Sequence, residues 1–477
     1  MTDVISPMDM TSPLPSDLPY ASAAELSMLY AQRVVSPVDV AREVLNVVDR
    51  LNPVVNAYCH LDRSLTLRMA ADSEARWMNG AQLGPADGVP YGIKDNLYVR
   101  GLPTGFGSRA LEQLSSSEFD SPAQARLIEA GGVLIGKTTT SELAWKGTAD
   151  NPRTGVTRNI WNTELTTGGS SGGAACATAA GMGTFHVGTD GGGSTRIPAS
   201  FCGVVGMKAT FGLVAAWPAG PMLTLSNVGP IVRTVSDLKV LSKIIMQPDA
   251  RDWNYVPLPR LIRSSVKSLH GLRIGLHLDD ACEPCVRQAV LNAAEELKSQ
   301  GAEIVAAQLP LQGAKEIIKK LWEAGTAWLI ANIPVEKREL MDAGLRASGQ
   351  RGDMSTLPEY YKAMVDRQAF GEAMLRYFKQ FDLVITPTLP IDPFAAGRDA
   401  PADAPSQDWL DWNPYTYPFN LTRQPAISLP VGVSEKGMPI GLQLVAGLYQ
   451  DEWLMDVAEL VEAAVRAERR RPRGPSQ

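Results

Sequence analysis

Apolar positions spaced by three and four mark helices in this chain, and short unbroken apolar runs mark buried strands. From Ser22, the positions Leu26, Leu29 and Tyr30 predict an amphipathic helix. Ser36-Pro37 caps and opens a second helix carrying Val40, Val44, Leu45 and Val48, which Asn52-Pro53 ends. A strand over 57–60 and a polar-faced helix over 63–77 follow. The apolar run 89–93 predicts a strand that Lys94 interrupts. A helix over 121–130, a strand over 133–136, an Ala-rich helix over 174–181 and a strand over 185–188 continue the alternation. Farther on, strands are predicted over 272–276 and 302–309, with a helix over 286–300 between them. Residues 314–382 read as helix-rich, with a mobile stretch at Ser348-Gly349-Gln350-Arg351-Gly352. A buried strand over 383–388, an exposed loop over 391–408, strands over 426–431 and 440–445 and a helix over 451–467 complete the chain. This βα alternation predicts an α/β fold. Residues 1–20 read as a loose arm, 21–467 as the folded unit and 468–477 as a basic tail.

Composition narrows the function. With 477 residues, 45% hydrophobic and 20% charged, the chain is ordinary for a soluble globular protein. A net charge of −6 gives no reason to expect nucleic acid as a partner. No apolar run approaches the length needed to span a membrane, and the first residues lack the basic start and apolar core of a secretory signal. Five cysteines in so long a chain make no disulfide framework. These features predict a cytoplasmic enzyme.

The candidate chemistry lies in two glycine-framed serine sites, Gly168-Gly169-Ser170-Ser171-Gly172-Gly173 and Gly191-Gly192-Gly193-Ser194. Such loops let successive N–H groups converge on an oxygen that becomes an anion. Ser170 and Ser171 also sit at the positive end of the helix predicted after them. Gly168-x-Ser170-x-Gly172 matches a nucleophile elbow, which would require a histidine downstream. Of the four histidines, His186 lies in an apolar run and reads as core, while His270 and His277 have the right order but no motif around them. The alternative base is a lysine. Lys94 enters a buried apolar strand, where burial lowers an ammonium pKa towards general-base use; Asp95 beside it could instead pair with it and keep it charged. Cys282-x-x-Cys285 has no second pair and reads as neither a zinc nor a redox site, and Cys202 reads as core.

Three stretches, GPADGVPYGIKDN at 84–96, GGSSGG at 168–173 and GTDGGGSTRIPASFCGVVGMKAT at 188–210, resemble the amidase signature family, the Ser–cis-Ser–Lys amidohydrolases. Flanking segments such as DLVITPTLP and PFNLTRQPAISLPVGV extend the resemblance from about residue 20 to 466. It implies the family fold, a mixed central β-sheet flanked by helices on both faces, and an acyl-enzyme mechanism without metal or cofactor. A homodimer is also expected.

Carried over residue by residue, the resemblance makes Ser194 the nucleophile, Ser170 the bridging serine behind a cis bond from Gly169, and Lys94 the base. The family's spacing of 24 residues between the two serines selects Ser170 over Ser171. The amides of Gly191, Gly192, Gly193 and Ser194 correspond to the oxyanion hole, and Gly191 replaces a usually larger residue. Asp190 and Arg196 read as supports of that loop.

The motif implies the reaction and leaves the small-molecule substrate open. Phe106, Trp145, Gly169, Trp412 and Tyr415 are the candidate substrate contacts, with Trp412, Tyr415 and Tyr417 forming an apolar wall for an aryl or hydrophobic carboxamide; filling a seam of the fold is the other reading of these aromatics. A linear amide is the expected substrate. The alternatives are the glutamine-hydrolysing component of a tRNA-dependent amidotransferase, a urea- or carbamate-type amidohydrolase, and a silent family member. Asn413 stands where the amidotransferase component would offer an acidic group.

Overall fold

The computed structural model describes residues 17–111, 116–256, 264–465 and 471–472. Several of its helices begin where side chains take up the unpaired amides of a first turn. Reciprocal capping boxes, Ser22 with Glu25, Ser36 with Asp39 and Thr356 with Glu359, open Ala23–Ala31, Pro37–Val55 and Leu357–Phe378. Proline at the first helical position, as in Pro37 and Pro284, removes an amide that would have had no partner.

Strands β1 (Tyr58–Leu61), β2 (Pro90–Lys94) and β3 (Val133–Thr138) lead to a small hairpin, β4 (Arg158–Asn159) with β5 (Asn162–Thr166). Then come β6 (Phe185–Asp190), β7 (Val205–Lys208), β8 (Asn227–Val232), β9 (Arg273–Leu276), β10 (Glu303–Ala306), β11 (Leu383–Pro387), β12 (Ala426–Val433) and β13 (Pro439–Val445). All but the hairpin join one eleven-stranded sheet in the order β1-β3-β2-β6-β8-β7-β12-β13-β11-β9-β10. The pairs β3-β2, β2-β6, β11-β9 and β9-β10 are parallel and the others antiparallel, so the sheet is mixed as expected.

Alternate residues of the central strands feed two separate cores. Ile385, Ile427 and Leu444 pack with helices Pro37–Val55, Pro284–Ser299 and Asp451–Val465. Their neighbours Val384, Ala426 and Val445 pack with Ala314–Ala331, Leu357–Phe378 and the aromatic segment around Trp409 and Trp412. Period-two alternation along the strands thus puts helices on both faces.

Several expectations change. Asn52-Pro53 does not end its helix, which runs to Val55; Pro53 lies in the last turn, and Asn52 Oδ1 accepts from the amides of Ala57 and Tyr58 just beyond. The stretch 348–352 is helical, inside Ala343–Asp353, where Gly352 lets the Glu323 carbonyl approach so closely that a Cβ would lie 2.0 Å away. Of the predicted arm, residues 17–20 are ordered, with Leu18 and Pro19 buried, while 1–16 lie outside the described residues. The basic tail lies outside them too, except 471–472. Helix Asp451–Val465 is described to Val465 only. The 391–408 segment carries no helix or named strand, but Phe394 is buried in the core. Cys202 ends a helix, Arg196–Cys202, and is core, as expected. The central strand β8 has no sequence signal, because Gly229-Pro230 in its middle reads as a turn.

Candidate active site

Lys94 is the last residue of β2 and is fully buried. Its Nζ lies 2.7 Å from Ser170 Oγ, 2.9 Å from Ser171 Oγ and 2.9 Å from Thr189 Oγ1. All three neighbours are hydroxyls. Asp95, the expected ion partner, pairs instead with Lys137 at 3.0 Å and accepts from the Gly105 amide. Asp95 opens the turn that follows β2, closed by the Leu97 amide donating to the Lys94 carbonyl at 2.9 Å. Burial pushes the Lys94 ammonium well below the ordinary lysine range, and the charge of Asp190 opposes this only in part.

The Gly169–Ser170 peptide is cis, as the motif implies. Gly169 is required by close approach, since a Cβ there would stand 2.1 Å from the Thr148 carbonyl oxygen. Ser170 and Ser171 both reach Lys94, but only Ser170 borders the cavity described below. Ser171 Oγ is also 3.2 Å from the Thr189 carbonyl, and its amide donates to the carbonyl of Ser194, tying the two serine loops together.

Behind the second loop, Asp190 and Arg196 form a fully buried ion pair at 2.9 Å. The Asp190 carboxylate accepts from Gly193 N, Thr195 N, Thr195 Oγ1 and Asn420 Nδ2. Arg196 donates onward to the Thr416 carbonyl, Gln443 and Asn420. Burial raises the Asp190 pKa, but the guanidinium and these donors outweigh it and hold the carboxyl below the usual carboxylate range. One expected oxyanion donor is therefore reassigned. Gly193, with φ +131, turns its N–H onto Asp190 Oδ1 at 2.8 Å, leaving the amides of Gly191, Gly192 and Ser194 as candidates. On the other side, the Gly192 carbonyl accepts from Thr416 Oγ1 at 2.6 Å.

Ser170 and Ser194 border a cavity of about 230 Å³. Its walls come from Asn96, Tyr98, Phe106, Leu143, Ala144, Thr189 and Gly191, from a strap of Pro218 to Met222 with Ser226, and from Trp322, Trp328 and Leu329. No charged side chain lines it among the described residues.

Phe106 borders the cavity; Gly169, Trp145, Trp412 and Tyr415 do not. The indole of Trp145 packs against Gly344, and its carbonyl accepts from Trp322 Nε1. Trp412 stacks on Phe201, meets Phe394 edge-on and donates to the Asp399 carbonyl, so it fills a seam. Tyr415 contacts Cys282 Sγ at 3.3 Å and the His277 ring. Asn413 is buried behind the loop, against Thr416 and the Gly192 carbonyl. Trp322, Trp328 and the strap carry no motif, and sequence reasoning missed them; Trp322 shows only as part of the buried stripe of its helix.

No histidine borders the cavity among the described residues. His186 is buried between Tyr58 and Thr178, His277 lies against Tyr415, and His270 is exposed. The nucleophile elbow thus lacks its histidine here. Away from the cavity, Glu283, Cys285 and Asp392 hold ligand-type atoms within 4.8 Å of one another, with Lys436 Nζ 3.9 Å from the Asp392 carboxylate. No described helix is long and apolar enough to cross a membrane.

The family model described as Amidase matches residues 39–455. A glutamyl-tRNA(Gln) amidotransferase subunit of Prochlorococcus marinus is 33% identical over 466 residues, covering 90% of this chain and 94% of its own. An acylamidase of Rhodococcus erythropolis is 32% identical over 464 residues, covering 94% and 96%. Among solved structures, 6-aminohexanoate cyclic dimer hydrolase superposes with a TM-score of 0.85 at 26% identity, covering 96% of this chain and 99% of that one. With a family match over most of its length and two such relatives, the chain belongs to the amidase signature family, as a hydrolase of α/β fold.

Proposed function

We propose that this chain hydrolyses a small, uncharged, linear carboxamide with an aryl or hydrophobic group, through an acyl-enzyme on Ser194. The observation that carries this reading is the uncharged, aromatic-walled cavity onto which Ser170 and Ser194 open. A charged substrate group desolvated there would have no counter-charge, which is costly. A cyclic dimer of an amino acid has no free ends to carry charge, so the named activity of the structural relative fits the uncharged character of this substrate, though not its linear form.

In the proposed mechanism Lys94 is a neutral amine. Ser194 Oγ attacks the carbonyl carbon while its proton passes to Ser170 Oγ, and the Ser170 proton passes to Lys94 Nζ. The amides of Gly191, Gly192 and Ser194 receive the oxyanion. The C–N bond then breaks, Lys94 returns its proton through Ser170 to the leaving nitrogen, and the amine departs. Water enters by the same relay and hydrolyses the ester, releasing the acid and regenerating the three groups.

A second reading, glutamine hydrolysis for a partner protein, is favoured by the name of the Prochlorococcus relative. Glutamine presents an ammonium and a carboxylate that must be held, and Asn413 is occupied behind the loop. A hydrolysis panel decides between them. The proposal expects turnover of neutral anilides and benzamides, lost in Ser194→Ala, and none of L-glutamine; turnover of glutamine alone overturns it.

A further inference from the structure

We propose that Trp322 fills the space beside Gly191, braces this loop and sets the size of the substrate group that lies against it; the inference rests on the reading of residues 191–194 given above. Trp322 is 5% exposed and sits on helix Ala314–Ala331, far from the loop in sequence. A Cβ added at Gly191 would lie 3.1 Å from Trp322 Cζ3 and 3.2 Å from Cη2, the outer atoms of the indole. Gly191 does not have a left-handed φ, unlike Gly193. Space, and not backbone conformation, is what a side chain at 191 would lack.

The indole is held on two further sides. Its Nε1 donates to the Trp145 carbonyl at 2.9 Å, and its ring meets Trp409 at 5.2 Å and 62°. Trp409 in turn covers Gly192, where a Cβ would stand 2.7 Å from its Cη2. Gly191 and Gly192, without side chains of their own, are therefore backed by two rings brought from other parts of the chain. Trp322 also borders the cavity beside Gly191, so one ring braces the loop and bounds the volume next to it. Shortening that ring has two separable effects: it makes room in the cavity, and it makes room for a Cβ at 191.

The test uses 4-nitroanilides of lengthening acyl chain and acetamides of lengthening N-alkyl chain. Substrate pockets typically discriminate one methylene by roughly tenfold or more. Trp322→Ala is expected to raise the large-to-small ratio of kcat/KM by about that factor in at least one series, and Trp322→Phe to move it the same way by less. Gly191→Ala is expected to lower kcat/KM for every substrate by roughly 10–100-fold, through displacement of the loop. Trp322→Phe in the same chain should restore most of that loss. A ring with a structural role alone would lower all substrates together and leave the ratios unmoved. Unchanged ratios with folded variants, or a Gly191→Ala loss that Trp322→Phe does not relieve, overturn the inference. Fluorophosphonate labelling of Ser194 in the unaltered chain checks the underlying reading separately: no label there overturns both, while label with unchanged ratios overturns this inference alone.

Discussion

Asp95 pairs with Lys137 at 3.0 Å, and not with Lys94 beside it. The pairing matters because an adjacent carboxylate would stabilise the Lys94 ammonium. With three hydroxyls within 2.9 Å and Asp95 engaged elsewhere, burial dominates and its pKa falls well below the ordinary range.

A base that must be neutral fixes the sign of the pH dependence. Below the Lys94 pKa the ammonium cannot accept a proton, so kcat/KM should rise with pH through that pKa and level off above it. The rise should lie well below the range of free lysine. Lys94→Ala and Lys94→Arg should both lose activity by orders of magnitude, measured as kcat on a neutral anilide with folding checked by circular dichroism. Near-normal activity in Lys94→Arg would contradict a neutral base.

The Asp190–Arg196 pair is buried, so removing one partner strands the other charge. Arg196→Met is expected to cost about 3–5 kcal/mol in denaturant unfolding. The Asp190 pKa is depressed in the folded chain, so its contribution is present above the unfolded carboxylate range and is lost as pH falls through about 4 and below. Asp190→Asn should flatten that acid-side dependence.

Trp412→Ala should separate packing from recognition. The ring fills a seam between Phe201 and Phe394, so its loss is expected to cost about 3–5 kcal/mol of stability. The order of preference among anilides, measured as kcat/KM on the folded variant, should not change.

His277→Ala should leave turnover nearly intact, since His277 borders Tyr415 and the Ala307 carbonyl and not the cavity. A folded His277→Ala chain without activity would return weight to a histidine base.

How far the sequence reaches can be seen from these same residues. The Lys94–Ser170 juxtaposition spans 76 positions, yet it is legible because each loop carries its own motif. The cis bond belongs to the same local pattern, whereas the packing of Gly169 against the Thr148 carbonyl, away from the cavity, does not. By contrast, the partner of Asp95 depends on the β2–β3 register, which no local pattern encodes. Trp145, Trp412 and Trp322 have the same chemistry in sequence. Only the packing of helix Ala314–Ala331 against the loop puts Trp322 on the cavity and leaves the other two behind it. Gly349 and Gly352 read as flexible for a similar reason: a glycine at a tight helix contact and one in a loop look alike until the neighbour is known.

Whether Ser194 carries the acyl group is read from intact mass after incubation with a fluorophosphonate, followed by peptide mapping. A single adduct on Ser194, lost in Lys94→Ala, is expected. An adduct on Ser170, or none on either serine in active protein, would contradict it.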